Sequence, residues 1–460
     1  MQRVMSNGDS GAPVPEPTTG PPQVDRPRRW DRSRSAIVLA GLLVTAAVLV
    51  GLHVADYPQV SPIDELQHID YLYKARDLEG VGRGDLFGHE AMDEEACRGL
   101  DAEFVPPACG VTPYNPRAFQ EGGYNTAYVH PPVYYTVTAW IGSAISAVLQ
   151  TETLVTGGRL VGVLWLGAAL AVLWRLMGDL GVRDGTRAGV LLLTMCSPLV
   201  LFQASTISPD ATALLAGALC LWAVMRYDRG TIPWWVPALA AALAVSLKST
   251  NIIGVGAAVL YLAIRHLQRR AGVAERSSAR RPDWLVVVAM GAAVALVSLG
   301  FLVLSSSLAS IDARKIPMLA RMRAPTFPLD GLVSNVRITP LQIESLSVFA
   351  WGPLTVIASL VGLGLAIGSI VSIAMSEPGD SVRAVAGAGL VSVLIAGPMF
   401  VLVNYLLSEI YTGIPARYSL AAAPAMIVAT AVALDRLSVR WLLPFAGVIA
   451  VGLTAFRLLS

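Results

Sequence analysis

The chain has 460 residues, 54% of them hydrophobic and 14% charged, with a mean hydropathy of +0.59. Soluble domains carry about 25% charged residues, and here the apolar residues also come in long blocks, which excludes a water-soluble fold. The net charge is only +2, and no basic stretch interleaved with aromatics marks a nucleic-acid surface.

Residues 1–34 hold six prolines among Gly, Ser and Thr, and Arg26, Arg28, Arg29, Arg32 and Arg34 close the segment. Such a composition cannot bury enough apolar surface to fold, so a disordered cytoplasmic tail is expected. The first transmembrane helix is expected at 35–54, where residues 36–52 read AIVLAGLLVTAAVLVGL without a charge. That is close to the ~20 residues a membrane helix needs, and the long polar leader argues for a signal anchor rather than a cleaved peptide.

An external loop domain is expected at 55–156. Residues 55–130 hold 14 acidic and 5 basic side chains and no apolar run of membrane length. Cys97 and Cys109 fall in this stretch and are a disulfide candidate if the compartment is oxidising. Cys196 and Cys220 lie in apolar blocks and are expected to be packing residues.

Residues 131–149, PPVYYTVTAWIGSAISAVL, either span the membrane or lie at its interface. Lys and Arg counts over loops and ends decide between them. The interfacial placement puts 20 inside and 14 outside, whereas the spanning placement gives 15 and 19. The positive-inside rule favours the interfacial helix, and Tyr134, Tyr135 and Trp140 suit the headgroup level. A transmembrane bundle then occupies 157–304, a second external loop 305–345, and further transmembrane helices 346–460. The whole is an all-α polytopic membrane protein of about 11 spans in the plasma membrane, with its N-terminus cytoplasmic.

This topology gathers the unusual polar residues on the external face. In Ser61-Pro62-Ile63-Asp64-Glu65-Leu66-Gln67-His68, Pro62 suits the first turn of a helix capped by Ser61. His68 then shares a face with Asp64 and Glu65. The group can act as a general base with orienting partners, hold a divalent metal, or merely complement a helix dipole. His130 precedes the interfacial helix as a candidate phosphate ligand. Asp210, in Ser208-Pro209-Asp210, can cap the helix it begins or meet substrate.

Lys248-Ser249-Thr250 resembles the end of a phosphate-binding loop but lacks the required glycines, which excludes a nucleotide site. Lys248 remains an anion-ligand candidate. Arg314 and Lys315 make the second external loop basic, as a lipid-phosphate contact would require. Arg417-Tyr418 stands at the external end of a later span; an interfacial anchor accounts for the Tyr better than for the Arg.

Asp64-Glu65 opening a large loop, His130-Pro131-Pro132 before an interfacial helix, and Arg159-Leu160 at the start of a span together resemble the GT-C fold glycosyltransferases. The stretch from Pro62 to Tyr71, with Ser208-Pro209-Asp210-Ala211 and Arg417-Tyr418, is closer still to a bacterial membrane-protein family of mostly unassigned function near that superfamily. The resemblance implies transfer of a sugar from a polyprenyl-phosphate donor to an envelope glycan, lipid or protein acceptor at the external face. Asp64 would be the base, with inversion at the anomeric carbon. Glu65 would share the catalytic role, and His68 would orient Asp64 or help hold a metal. Lys248, Arg417, Arg159 and His130 would bind the donor phosphate, with Asp210, Arg314, Lys315 and Tyr418 as further substrate contacts. From other classes, a lipid-linked glycan transporter would string Asp210, Lys248 and Arg417 along a path across the bundle, and a non-catalytic accessory protein would keep the fold alone.

Overall fold

Uninterrupted apolar sequence makes helices here, and the polar breaks between them decide where each one stops. The computed structural model describes residues 29–100, 104–151, 153–275, 281–312, 316–336 and 353–460, with backbone alone for 29–32, 318 and 353–358. Among these residues the regular elements are all helices, with three isolated β-bridges, Val60 to Leu100, Leu86 to Tyr124 and Arg323 to Ile410. Most of the expected tail, Arg314, Lys315 and residues 337–352 lie outside the described residues.

Helix α1 spans Arg29–Asp56, the first expected span. A loop domain follows, with α2 at Glu65–Arg76 and α3 at His89–Arg98. Its apolar centre is formed by Leu66, Ile69, Leu72, Phe87, Met92 and Phe119 with neighbours. Asp70 ties its parts together: the carboxylate accepts from the Asn125 amide at 2.6 Å and from Gly88 N at 2.7 Å, and pairs with Lys74 at 2.7 Å. Cys97 and Cys109 are joined by a disulfide, with Cα atoms 4.5 Å apart.

Helix α4, Val133–Leu149, is the apolar segment whose course the sequence left to a charge count. It lies along α2, with Tyr135 against His68 and the Trp140 indole donating to Arg76 O at 3.3 Å. Its far half crosses α5, Leu154–Leu160, backbone to backbone. A Cβ on Gly157 would sit 2.2 Å from Gly142 O, so only glycine allows this crossing. Tyr134, Tyr135, Thr138, Ala139 and Gly142 form the buried face, while Trp140 is exposed.

The bundle continues with α6 at Gly162–Asp179, α7 at Asp184–Met195, α8 at Pro198–Ser205, α9 at Ala213–Asp228, α10 at Trp235–Leu247, α11 at Ile252–Arg270 and α12 at Asp283–Ser307. Short helices α13, Pro317–Arg321, and α14, Leu329–Ser334, belong to the second loop. Then come α15 at Pro353–Met375, α16 at Ser381–Ser408, α17 at Ala423–Asp435 and α18 at Leu442–Leu459. Among the described residues six helical stretches are long and apolar enough to cross a membrane, or seven if α7 and α8 count as one. With the shorter apolar helices they make a multi-pass membrane protein.

One apolar stretch of the bundle is divided into two helices. Helices α7 and α8 meet at 68°, because Pro198 cannot donate into the helix and pushes Ser197 into extended backbone, φ −62° and ψ 124°. Helices α9, α10 and α17 are short, with 16, 13 and 13 residues. Tight 3-10 turns at Pro209–Thr212, Ser249–Asn251 and Ala416–Ala421 adjoin them. Those turns carry or flank Asp210, Lys248 and Arg417.

The 19 residues of α11 rise about 28 Å, so Arg265 and Arg269 sit at the end of the bundle opposite Lys248. There Asp228 pairs with Arg265 at 3.0 Å and Arg269 at 2.5 Å, Arg269 also pairs with Asp283, and the Arg265 guanidinium donates to Gly379 O at 2.6 Å. The loop domain and this basic end are thus separated by the length of the bundle. On the loop-domain side, Arg83 Nε donates to Ile311 O at 2.9 Å and Arg321 pairs with Glu121 at 3.0 Å, which joins the first loop to the second.

Candidate active site

Helix α2 begins one turn later than Pro62 and Ser61 suggest. Asp64 occupies the position just before it, with left-handed backbone at φ 60° and ψ 10° and no capping bond from its side chain. The expected cap, Ser61, instead accepts from Ile63 N at 3.1 Å inside the preceding turn. Glu65 closes that turn by accepting from Ser61 N at 2.8 Å. A non-glycine residue in the left-handed region costs on the order of 1 kcal/mol or more. Here that backbone accompanies an Asp carboxylate facing the bundle rather than its own helix.

Asp64 Oδ2 lies 2.8 Å from Arg417 Nη2. Arg417 Nε lies 3.2 Å from Asp210 Oδ2, and Asp210 Oδ1 pairs with Lys248 Nζ. The four side chains form one alternating chain, carboxylate to guanidinium to carboxylate to ammonium. Asp210 and Lys248 are buried, Arg417 is 14% exposed and Asp64 is 48% exposed, so the chain of charges opens to solvent at Asp64. The Tyr418 ring lies beneath both cations, 4.1 Å from Lys248 Nζ and 5.4 Å from the Arg417 guanidinium carbon. Asp210 does not cap the helix it begins: Ser208 is the cap, its Oγ accepting from Asp210 N at 3.2 Å, and the Asp210 carboxylate is turned to the two cations.

A glycine contact places the Arg417 turn. A Cβ on Gly217 would lie 1.9 Å from Ala421 O, and one on Gly254 would lie 2.9 Å from the same oxygen. Helices α9 and α11 therefore press their backbones directly against the turn that carries Arg417 and Tyr418.

Beside the charges stand the two loop-domain histidines. His68 Nδ1 shares a 2.8 Å hydrogen bond with Tyr135 OH, and its ring lies 5.5 Å from that of His130. Burial pushes the pKa of both imidazoles well below the usual value, with nearby Lys248 and Arg417 acting in the same direction. Both are neutral at pH 7 and add no positive charge to the site. His130 Nδ1 is buried with no hydrogen-bond partner among the described residues.

Glu65 and Arg159 stand apart from this cluster. Expected as a catalytic carboxylate and a phosphate ligand, they pair with each other, each 1% exposed. Arg159 Nε reaches Glu65 Oε1 at 2.9 Å and Nη2 reaches Oε2 at 2.7 Å. Glu65 also accepts from Ile207 N at 2.8 Å, and Arg159 donates to Tyr57 O and Gln59 O, both at 2.6 Å. These bonds fill the four acceptor sites of the Glu65 carboxylate and use four of the five Arg159 N–H donors, on two side chains buried from solvent. The pair locks the start of α2 to the end of α1, to α5 and to the segment before Asp210.

The metal option for Glu65 and His68 does not fit this geometry. Both Glu65 oxygens are occupied and His68 Nδ1 is engaged by Tyr135. Among the described residues no three His, Cys, Asp or Glu side chains gather closely enough to hold an ion. Nor does His68 hydrogen-bond to Asp64 or Glu65 through its side chain among these residues, although Asp64 O accepts from its backbone N at 3.3 Å.

Sequence reasoning missed the tyrosines. Tyr135 is fully buried against His68 and stacks on Tyr71 with ring centroids 4.0 Å apart, and Tyr134 OH accepts from Ser208 N at 3.1 Å. The signal was the small residues Thr138, Ala139 and Gly142, which continue the same helical face four and eight positions on.

Residues 129–299 match the family model described as dolichyl-phosphate-mannose-protein mannosyltransferase. No curated protein matches the chain. The crystal structure of ArnT from Cupriavidus metallidurans bound to undecaprenyl phosphate is similar to it at 15% identity and a TM-score of 0.48, over 89% of this chain and 61% of that one. The apo state of the same protein matches at 16% identity and a TM-score of 0.44 with the same coverage. The chain therefore spans less than two thirds of the length of those structures, and what it is similar to in sequence, over 129–299, is a family of membrane mannosyltransferases.

Proposed function

We propose that this protein is an integral membrane glycosyltransferase of GT-C type that moves a sugar from a polyprenyl-phosphate donor to an envelope acceptor. The observation that carries this reading is the half-exposed Asp64 carboxylate at the open end of a buried Asp210–Lys248–Arg417 cluster. The family match over 129–299, which includes His130, Asp210 and Lys248, supports it.

In the reaction, Asp64 takes the proton of the acceptor hydroxyl as that oxygen attacks the anomeric carbon. The bond from that carbon to the phosphate oxygen breaks, and its electron pair leaves with the polyprenyl monophosphate. One displacement inverts the anomeric centre. Negative charge grows on the departing phosphate, and Arg417 and Lys248 are the cations placed to stabilise it. Neutral His130 has a free ring nitrogen beside them for a further hydrogen bond. Glu65 and Arg159 act as positioning residues that keep Asp64 at the mouth. Among the described residues no charge chain runs through the bundle: the ionic clusters collect at its two ends, an arrangement that favours chemistry at one face over a transport path. In this reading the site faces the outside of the plasma membrane, where an oxidising compartment would maintain the Cys97–Cys109 bond.

The test is the envelope glycan composition of a deletion strain complemented with wild type or with Asp64→Asn, both shown to reach the membrane. Wild type restores a missing sugar and the Asn form does not. Equal restoration by both removes the catalytic assignment.

A further inference from the structure

The cations proposed to receive the phosphate are already engaged. Arg417 is shared by Asp64 and Asp210, and Lys248 is held by Asp210. Two carboxylates and two cations sum to zero, and both neighbouring histidines are neutral. Among the described residues, a phosphate entering this cluster finds no surplus positive charge until a carboxylate gives way.

The two carboxylates are not equally able to do so. Asp210 is buried, bonded to Lys248 and Arg417 and braced by Ser208, whose Oγ donates to its carboxylate at 3.2 Å. Removing it would leave a buried ammonium unpaired, at a cost no exposed contact matches. Asp64 is half exposed, carries no capping bond and stands on left-handed backbone. Water replaces its contact with Arg417 readily, since partly exposed ion pairs are worth about 1 kcal/mol or less.

We infer that Arg417 is contested between the Asp64 carboxylate and the lipid phosphate. The Asp64–Arg417 ion pair is the resting state that substrate opens and that weakens the hold on product when it re-forms. This inference rests on the proposed transfer reaction. Donor phosphate displaces Asp64 from the guanidinium, which frees the carboxylate to act as base only when donor is in place. When Asp64 has taken the acceptor's proton it is neutral and cannot hold a guanidinium. At that moment the departing monophosphate has gained charge and holds Arg417 most strongly. Loss of the proton from Asp64 to water restores the carboxylate, which competes for Arg417 and weakens its hold on the phosphate.

The experiment is the affinity of the full chain, in lipid nanodiscs, for a polyprenyl monophosphate, measured for wild type, Asp64→Asn and Asp64→Gly. Both replacements tolerate left-handed backbone, and melting curves verify that each folds. The expected result is binding about fivefold tighter in both variants, the factor that follows from losing a competitor worth about 1 kcal/mol. Wild-type binding with equal or weaker binding by the folded variants overturns the competition and leaves the transfer reading intact. No binding by any of the three overturns the transfer reading itself, and the competition with it.

Discussion

Asp64 and Arg417 stand 353 positions apart in the chain, and their side chains meet at 2.8 Å. The contact joins the first residue before α2 in the loop domain to the turn that leads into α17 near the end of the bundle. It closes a cluster in which every other ionic member is mostly buried. The outermost carboxylate of that cluster is the group best placed to meet a substrate hydroxyl.

Replacing Asp64 with Asn keeps the shape and removes the base. Transfer is expected to fall by about 10²–10⁴-fold while melting in detergent stays near wild type, because the exposed end of the ion pair contributes little stability. Initial rates with a polyprenyl-phosphate sugar donor measure it. A variant that retains a tenth of the wild-type rate contradicts the role.

Glu65 and Arg159 are expected to behave differently. Glu65→Gln or Arg159→Met leaves one buried charge without its partner, so each costs roughly 3–5 kcal/mol of stability. Loss of activity should track loss of folded protein. Melting temperature and rate, measured together, separate this from a direct catalytic role; normal melting with no activity would show that these residues act on substrate.

Glu95 makes the loop domain pH-sensitive. Its carboxyl is buried on α3, accepts one bond from Gln120 at 3.0 Å and has its second oxygen unpartnered among the described residues. Burial raises its pKa to about 7 from an ordinary value of 4.5. Below the ordinary value both folded and unfolded chains hold the proton and there is no penalty. Between the two values the unfolded chain ionises first, so stability falls as pH rises and the loss is complete above about pH 7. Glu95→Gln removes the penalty, and its melting temperature should exceed wild type at pH 8 and match it near pH 4. A constant difference across that range would exclude titration as the cause.

Gly217 tests how tightly the Arg417 turn is placed. A methyl group there meets Ala421 O at 1.9 Å, whereas one on Gly256 of α11 meets nothing within 4 Å. Gly217→Ala should displace the turn and lower transfer by up to about 10²-fold, the effect of a misplacement near 1 Å. Gly256→Ala should be silent. Equal rates for both would mean that the turn repacks without moving Arg417.

Much of the architecture was legible in the chain itself. Hydropathy marks α1, α12, α16 and α18 directly, since each is a long apolar run. The bend at Ser197–Pro198 has its signal there too, in a proline inside an apolar run whose length and hydropathy alone fit a straight span. Tyr135 was read as a headgroup anchor because its aromatic ring fits an interface. The small-residue face it shares with Ala139 and Gly142 is what turns it inward.

Asp210, Lys248 and Arg417 could be singled out because ionisable residues at span ends are rare and costly in a chain this apolar, and Asp64 because it sits with Glu65 and His68 at the start of a helix in the first external loop. Sequence alone could not divide them from Glu65 and Arg159, which have the same chemistry and similar placement. Hydropathy and helical periodicity are properties of neighbours along the chain, so they determine which segments are helices and which face of each is apolar. Ion pairing is a property of groups brought together from distant segments. Only the tertiary structure paired Glu65 with Arg159 in a closed buried contact and left Asp64 half in solvent against Arg417. The physical difference is small in sequence, one residue along the start of α2, and large in space, because a carboxylate's partners follow from the direction its backbone turns it.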